Sequence, residues 1–450
     1  MTTDQRADLL VTGRYLLPTS SNKDLVKNGG IAIKGDSIVE IGLGAELKEK
    51  YPDCQHIDEK HGLIMPGLIN THTHAPMSLF RGLADDLPLM TWLQDHIFPI
   101  EAKLTADMVY QATLLSLAEM IKSGTTSFCD MYLFAGEVAR ATAQSGVRGW
   151  IGEVLYDFPS PNYGELENGF NYVEEMFERH QDHPLITITV DPHSVYTCSP
   201  ELLRRTGELA RKKDSLWVIH LSENDMEVKG CLDQYGLSPV MHLEQLGLLN
   251  DRVLAAHCVK IDDSEIDLLA RRNIGISHCQ ESNMKLASGT SPVVSMLERG
   301  LKLSIGTDGP ASNNDVDLFS EMNTVAKIHK GILLDPTVMS AEQTLRCATA
   351  GGAAALKAQE MIGTLSAGKK ADLIVLDLNQ PHMTPIYNVV SHLVYVASGA
   401  DVIHSIINGK LVMKDRELLT LDEKSILGQM RSLAKDIMTA NGRNRKTVRT

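Results

Sequence analysis

The chain has 450 residues, of which 43% are apolar and 22% charged, with a formal net charge of −14. Such numbers fit a globular enzyme with a large core, and the acidic surplus argues against a nucleic-acid or anionic-membrane partner. Seven cysteines, at 54, 129, 198, 231, 258, 279 and 347, form no CxxC pair and no regular framework, which suits reduced thiols in a cytoplasm better than a secreted disulfide scaffold. The opening "MTTDQRADLL" carries charge where a signal peptide needs an apolar centre. The longest uncharged stretches, 62–80 and 378–400, contain Pro, Asn and His and do not read as spanning helices.

Residues 1–58, with "LLVTGRYLLP" and "GGIAIKGDSIVEIG", show alternating strands broken by Gly and Asp. Eight apolar runs rich in Ile, Val and Leu follow within 59–360. They cover 63–74, 124–132, 147–156, 185–194, 216–224, 252–259, 274–279 and 301–309. Between them lie segments such as "MVYQATLLSLAEMIKSG" and "LDQYGLSPVMHLEQLGLL", whose apolar spacing near 3.6 predicts amphipathic helix. Eight buried strands alternating with helices predict a (β/α)8 TIM-type barrel; the count favours it over a doubly wound sheet. Residues 361–425 resemble the N-terminal flank, with "GKKADLIVLDL" and the turn dipeptide Asn408-Gly409. Neither flank can build a core alone, so the two are expected to form one small composite β-sandwich. A C-terminal helix and a basic tail complete the chain over 426–450. "GTLSAGKK" (363–370) has the GxxxxGK spacing of a phosphate loop, but Lys370 stands where Ser or Thr should be, and a turn between strands is expected there.

The polar residues of the eight runs gather at their C-terminal ends. Run one closes in "LINTHTH" with His72 and His74, run four in His193, and run five in His220 and Glu223. Runs six, seven and eight close in His257, His278 and Asp308. In a barrel those ends meet at one mouth, where barrel enzymes place their chemistry. An HxH pair on a strand directs two imidazoles to one face, and neutral imidazole suits zinc better than magnesium or calcium. Cys258 and Cys279 sit beside mouth histidines without ligand spacing and read as small packed residues.

"PGLINTHTHAPMSLFRGLADDLPLMTWL", "HLSEN", "AAHC", "SHCQESNMKLASG" and "IGTDGPASNN" resemble the amidohydrolase superfamily. They are most similar to its branch of 5'-methylthioadenosine/S-adenosylhomocysteine deaminases, grouped with chlorohydrolase-like proteins. The resemblance spans residues 8–420. It implies one divalent ion, zinc or alternatively iron, held by His72, His74, His220 and Asp308. Binuclear relatives use a lysine on the fourth strand; "LITITVDPHS" has none, which favours a single ion. The resemblance implies further that Glu223 shuttles protons, that His257 hydrogen-bonds the attacking water, and that Asp308 takes the water's proton.

Glu101 then corresponds to the acid that clasps the ribose hydroxyls, and His193 to a histidine facing the substrate. Leu89, Met90, Trp92 and Phe98 offer either a pocket for a 5'-alkylthio group or plain helix packing. The segment 160–175 has no basic residue to meet a homocysteine carboxylate, unless Arg81 or Arg148 compensates. The expected activity is deamination of a 5'-modified adenosine, 5'-methylthioadenosine first, with S-adenosylhomocysteine or adenosine as further substrates. The alternatives are an aminopurine (guanine-type) deaminase, an s-triazine hydrolase, or a scaffold that has lost its metal. The expected partner is a small purine nucleoside, and a homodimer or higher homo-oligomer is an expectation from relatives.

Overall fold

The computed structural model describes residues 6–87 and 91–440, so Leu89, Met90 and the basic tail from 441 lie outside the described residues. Eight parallel barrel strands follow the expected order. They are β1 (Leu68–Thr73), β2 (Thr125–Tyr132), β3 (Arg148–Leu155), β4 (Ile186–Ile188 and Asp191–Pro192), β5 (Trp217–Leu221), β6 (Val253–His257), β7 (Gly275–His278) and β8 (Lys302–Ile305). Parallel pairing runs from β1 through β3 to both pieces of β4, and from β5 to β8. Parallel bridges Val190–Trp217 and Ser194–His220 join β4 to β5. The barrel closes where Asp308 N–H donates to the His72 carbonyl at 3.0 Å and the Thr71 hydroxyl donates to the Ile305 carbonyl at 3.0 Å. Gly306 permits that approach: a Cβ there would lie 2.8 Å from the backbone N and O of His72.

The first run, 63–74, is two elements. A strand Gln55–Pro66 belongs to the flanking sheet, and β1 begins after Gly67. A Cβ at Gly67 would fall 2.1 Å from the Thr126 hydroxyl, so only glycine lets the chain pass from sheet to barrel this close to β2. The boundary drawn at 58/59 therefore cuts a strand, and the sheet keeps residues up to Pro66. The stretch 232–249 is also not one helix. Helices Asp225–Tyr235 and Pro239–Gln245 are separated by a turn, and Ser238 caps the second with Pro239 in its first turn.

Both chain ends share one nine-stranded sheet. Leu373–Asp377 pairs antiparallel with Gly62–Pro66, and Leu9–Leu16 pairs parallel along the other edge of the same long strand, from Gln55 to Ile64. Ile31, Ile33, Ile57, Ile64, Leu373, Val375 and Ile406 are buried together in its core, which neither end could fill alone. The Asn408-Gly409 turn links Val402–Ile407 to Lys410–Lys414, with both residues at positive φ as a tight hairpin requires. In the segment 363–370 Lys369 donates to the Gln359 carbonyl and Lys370 pairs with Asp36, so the phosphate-loop lysines are engaged in holding a turn. The C-terminal helix runs Glu423–Ala440 and is tied to the helix Ala106–Lys122 by a Lys122–Glu423 pair at 2.8 Å. Among the described residues no helix is long and apolar enough to cross a membrane.

Candidate metal-dependent active site

The C-terminal ends of β1, β5, β6 and β8 bring His72, His74, His220, His257 and Asp308 to one point. The Nε2 atoms of His74 and His220 lie 3.3 Å apart, and Asp308 Oδ1 lies 3.2 Å from His74 Nε2 and 3.6 Å from His72 Nε2. Four donors held about 2.0–2.1 Å from a tetrahedral zinc ion stand roughly 3.3–3.4 Å from one another. The spacing fits. His72 and His74 do not sit on an unbroken strand, since the β1–β2 register shifts between Asn70 and Thr73, yet the two rings remain 4.8 Å apart.

The surroundings fix how each ring presents its nitrogens. His74 Nδ1 meets the Met131 carbonyl at 2.5 Å, and His220 Nδ1 meets the His193 carbonyl at 2.8 Å. Each ring thereby places its N–H on Nδ1 and turns an Nε2 lone pair toward the centre. His72 is wholly buried, and neither of its ring nitrogens has a hydrogen-bond partner among the described residues. An unpartnered buried imidazole is costly unless something else satisfies it, and a cation does. Burial lowers the pKa of His72 to about 4 and that of His220 well below the usual histidine value, so both are neutral and able to ligate. Asp308 is the anionic member. Burial opposes its charge, but the His72 and His74 imidazoles facing it hold its pKa well below the usual range. Its outer oxygen Oδ2 accepts from the Ser282 and Ser312 hydroxyls at 2.6 and 2.8 Å, and Oδ1 accepts from Gly309 N–H at 2.7 Å.

Around these donors a cavity of about 760 Å³, including its open mouth, is lined by Glu101, His193, Glu223 and a wall of large apolar side chains. Glu223 is buried, and burial raises its pKa, which suits a carboxyl that alternates between acid and base. His257 is aimed by Asn283, whose Oδ1 accepts from Nδ1 at 2.9 Å. Glu101, at the end of a short helix (Phe98–Glu101), receives the Tyr132 hydroxyl on Oε1 at 2.6 Å. His193 Nδ1 lies 2.8 Å from the Thr197 hydroxyl, and burial lowers its pKa to about 3. Trp92, Leu93, Ile97 and Phe98 line the cavity from a wide π-helical turn in which Phe98 N–H reaches back to the Leu93 carbonyl. Phe158 stacks on Tyr156 at 3.8 Å opposite them.

One expected mouth residue is elsewhere. His278 is fully buried with Nε2 3.1 Å from His329 Nε2, on the helix side of β7, and it does not line the cavity. Arg148 and Arg81 cannot serve a substrate carboxylate in this geometry either. Arg148 is locked to Asp372 at the opposite end of the barrel, and Arg81 pairs with Glu119 at 2.5 Å. Sequence reasoning also passed over Asn283, Ser282 and Ser312, although the first two stood in "SHCQESNMKLASG". It passed over buried carboxylates that hold the mouth loops by their backbone as well. Asp130 accepts from Ala75 N–H at 2.5 Å, Glu153 from Ala135 N–H at 2.7 Å, and Glu321 from Gln280 N–H at 2.6 Å.

Residues 63–412 match the amidohydrolase family. The chain belongs to that family. A 5-methylthioadenosine/S-adenosylhomocysteine deaminase of Syntrophobacter fumaroxidans is 51% identical over 96% of this chain and 99% of the relative. A 5'-deoxyadenosine deaminase of Methanosarcina barkeri is 43% identical over 96% of this chain and 99% of its own length. The crystal structure of an adenosine deaminase from Xanthomonas campestris with bound zinc superimposes with a TM-score of 0.95 at 37% identity, covering 97% of this chain and all of that one. This amidohydrolase's barrel and two-ended sheet are thus a shared architecture.

Proposed function

We propose that this amidohydrolase is a metal-dependent hydrolytic deaminase that converts 5'-modified adenosines, 5'-methylthioadenosine first, to the inosine analogue and ammonia. The observation that carries the reading is the gathering of His72, His74, His220 and Asp308 on the floor of a cavity that also holds Glu223 and Glu101. His72, His74, His220 and Asp308 would hold one divalent ion, zinc or iron; β4 supplies no lysine for a second. Such an ion, when bound, lowers the pKa of its water from about 16 toward about 7.

The protein's residues do the rest. Glu223 in its protonated form gives its proton to purine N1 as the water oxygen adds to C6 and the ring electrons move onto N1. Asp308 accepts the proton the water sheds, and His257, oriented by Asn283, hydrogen-bonds that water. Glu223, now ionised, takes the proton of the new C6 hydroxyl and passes it to the exocyclic nitrogen. The C6–N bond breaks, ammonia leaves with its electron pair, and the proton held by Asp308 returns to Glu223. Atoms balance as one water in and one ammonia out. Glu101, already steadied by Tyr132, keeps lone pairs on both oxygens for the ribose hydroxyls.

The cavity wall of Trp92, Leu93, Phe98, Tyr156 and Phe158 supports a neutral apolar 5'-substituent. Every lining residue that can carry full charge near neutrality, His aside, is an acid: Glu101, Glu223 and Asp308. That composition favours methylthio over the zwitterionic homocysteine tail. An s-triazine or guanine-type substrate would leave Glu101 without a hydroxyl to bind. The test is ammonia release from a panel of adenine nucleosides and free aminopurines, followed by the change in purine ultraviolet absorbance. Turnover of 5'-methylthioadenosine above S-adenosylhomocysteine and above free bases is expected; no turnover of any adenosine at full zinc occupancy overturns the reading.

A further inference from the structure

Glu223 stands at the end of β5 on a turn that is not relaxed. Ser222, immediately before it, has φ +50°, a left-handed conformation that a non-glycine residue holds only when its surroundings impose it. The same turn contributes little side-chain anchoring of its own: the Ser222 hydroxyl is buried without a partner among the described residues. The Ser222 carbonyl accepts from Val259 and Lys260 N–H at 3.0 and 2.8 Å, and the N–H side of the turn is held by one carboxyl group. Glu227, in the first turn of the helix Asp225–Tyr235 and itself buried, accepts Ser222 N–H on Oε1 at 3.0 Å and Glu223 N–H on Oε2 at 2.7 Å. Asn224 caps the same helix through its side chain, receiving Met226 and Glu227 N–H at 2.9 and 3.0 Å, which fixes where Glu227 starts. The chain therefore folds back four residues and clamps the backbone on which the proton-shuttle carboxyl is mounted.

We propose that Glu227 is a positioning residue for the deamination, holding the Ser222–Glu223 peptide so that the Glu223 carboxyl faces the cavity rather than the loop. This rests on the reading of Glu223 given above. Glu227 does not line the cavity, so it acts through Glu223 and not on the substrate. Both of its oxygens accept a hydrogen bond whether or not the carboxyl is ionised, which matters because burial lifts its pKa to about 8 against the pull of the two N–H donors. An amide cannot imitate this: one oxygen becomes an NH2 facing an N–H donor. Glu227→Gln thus keeps the volume and loses half the clamp.

The experiment is a double-mutant cycle of Glu223→Gln and Glu227→Gln on the zinc-loaded enzyme, with 5'-methylthioadenosine as substrate. Glu227→Gln is expected to lower kcat roughly 10- to 100-fold, the scale on which a small misplacement of a reacting group acts. KM should stay within about twofold and zinc content should match the parent, while the thermal midpoint falls by a few degrees for the N–H left unpaired. The double variant should be no slower than Glu223→Gln alone, because a residue that works only through Glu223 has nothing left to position. A Glu227→Gln enzyme with parental kcat overturns the proposal. So does one that loses zinc or substrate affinity, or a double variant slowed by the full product of the two factors. Should Glu227→Gln not accumulate folded, Glu227→Asp, one methylene too short to reach both N–H groups, stands in with the same criteria. Full turnover by Glu223→Gln would instead overturn the role given to Glu223 itself, independently of Glu227.

Discussion

The two ends of the barrel both bury polar side chains, and they do so in opposite manners. At the N-terminal end Arg148 makes a fork-on-fork pair with Asp372, Nε to Oδ2 at 2.8 Å and Nη2 to Oδ1 at 3.1 Å, with both side chains 3% exposed. Its remaining donors reach the Pro184 carbonyl and Asn408 Oδ1, and Asn408 N–H returns to Asp372 at 2.6 Å. Charges and donors there close on one another. At the mouth, His72 has two unpartnered nitrogens, and Ser222, His257, Cys258 and Asp308 all hold positive φ at the ends of β5, β6 and β8. Each such residue costs about 1–3 kcal/mol. One end is finished as it stands and joins the barrel to the sheet; the other is complete only with something bound. Buried polarity alone therefore does not mark a site, whereas buried polarity left open, on strained backbone, does.

If that contrast is right, mutations at the two ends should fail in different currencies. The largest effect belongs to the proposed metal donors. His220→Ala should lower kcat/KM by more than about 10³-fold, about 4 kcal/mol of transition-state stabilisation, while leaving a folded protein with little zinc by elemental analysis. Chelation of the parent should reproduce the loss and zinc should reverse it. Arg148→Met comes next and inverts the pattern. Removing one member of a buried pair costs about 3–5 kcal/mol, so the denaturant midpoint should fall clearly while kcat/KM of the folded fraction stays parental. If Arg148→Met instead alters turnover with stability intact, the two ends are coupled and the contrast is lost. Asn283→Ala tests the mouth more gently. It frees His257 to rotate and should cost about 10- to 100-fold in kcat with little change in stability, as loss of an orienting partner does.

The sequence carried the mouth better than the base because mouth chemistry is written in side chains at strand ends. His72, His74, His220 and Asp308 could be found from their run positions and the resemblance, and barrel closure explains why residues 236 positions apart meet. His278 sat at the same kind of position and was misread as a mouth residue. A four-residue strand does not reveal its phase, and packing against His329 turned that ring outward. The sheet's reach to Pro66 was hidden because "LIMPGLINTHTH" is apolar throughout; only the contact between Gly67 and Thr126 divides it. Glu227, Asn283 and Arg148 were illegible for a shared reason. Each acts on a partner brought near by folding, often a backbone N–H, and a backbone partner leaves no trace in residue identity.

The smallest effect sharpens the comparison at the rim, where the mouth meets solvent. Phe158 is 42% exposed yet stacked on Tyr156 and 6.3 Å from Phe98, an aromatic surface at the cavity's edge. A large exposed aromatic on a cavity edge serves a ligand better than it serves the fold, since its burial is incomplete until something covers it. A methylthio group has about one methyl and one sulfur to cover it with, and an apolar increment of that size contributes about 1 kcal/mol. Phe158→Ala should therefore raise KM for 5'-methylthioadenosine roughly 3- to 10-fold, leave kcat nearly unchanged, and leave adenosine, which has no such group, within about twofold. Equal losses for both nucleosides would place Phe158 in general loop packing and return the rim to the same class as the base.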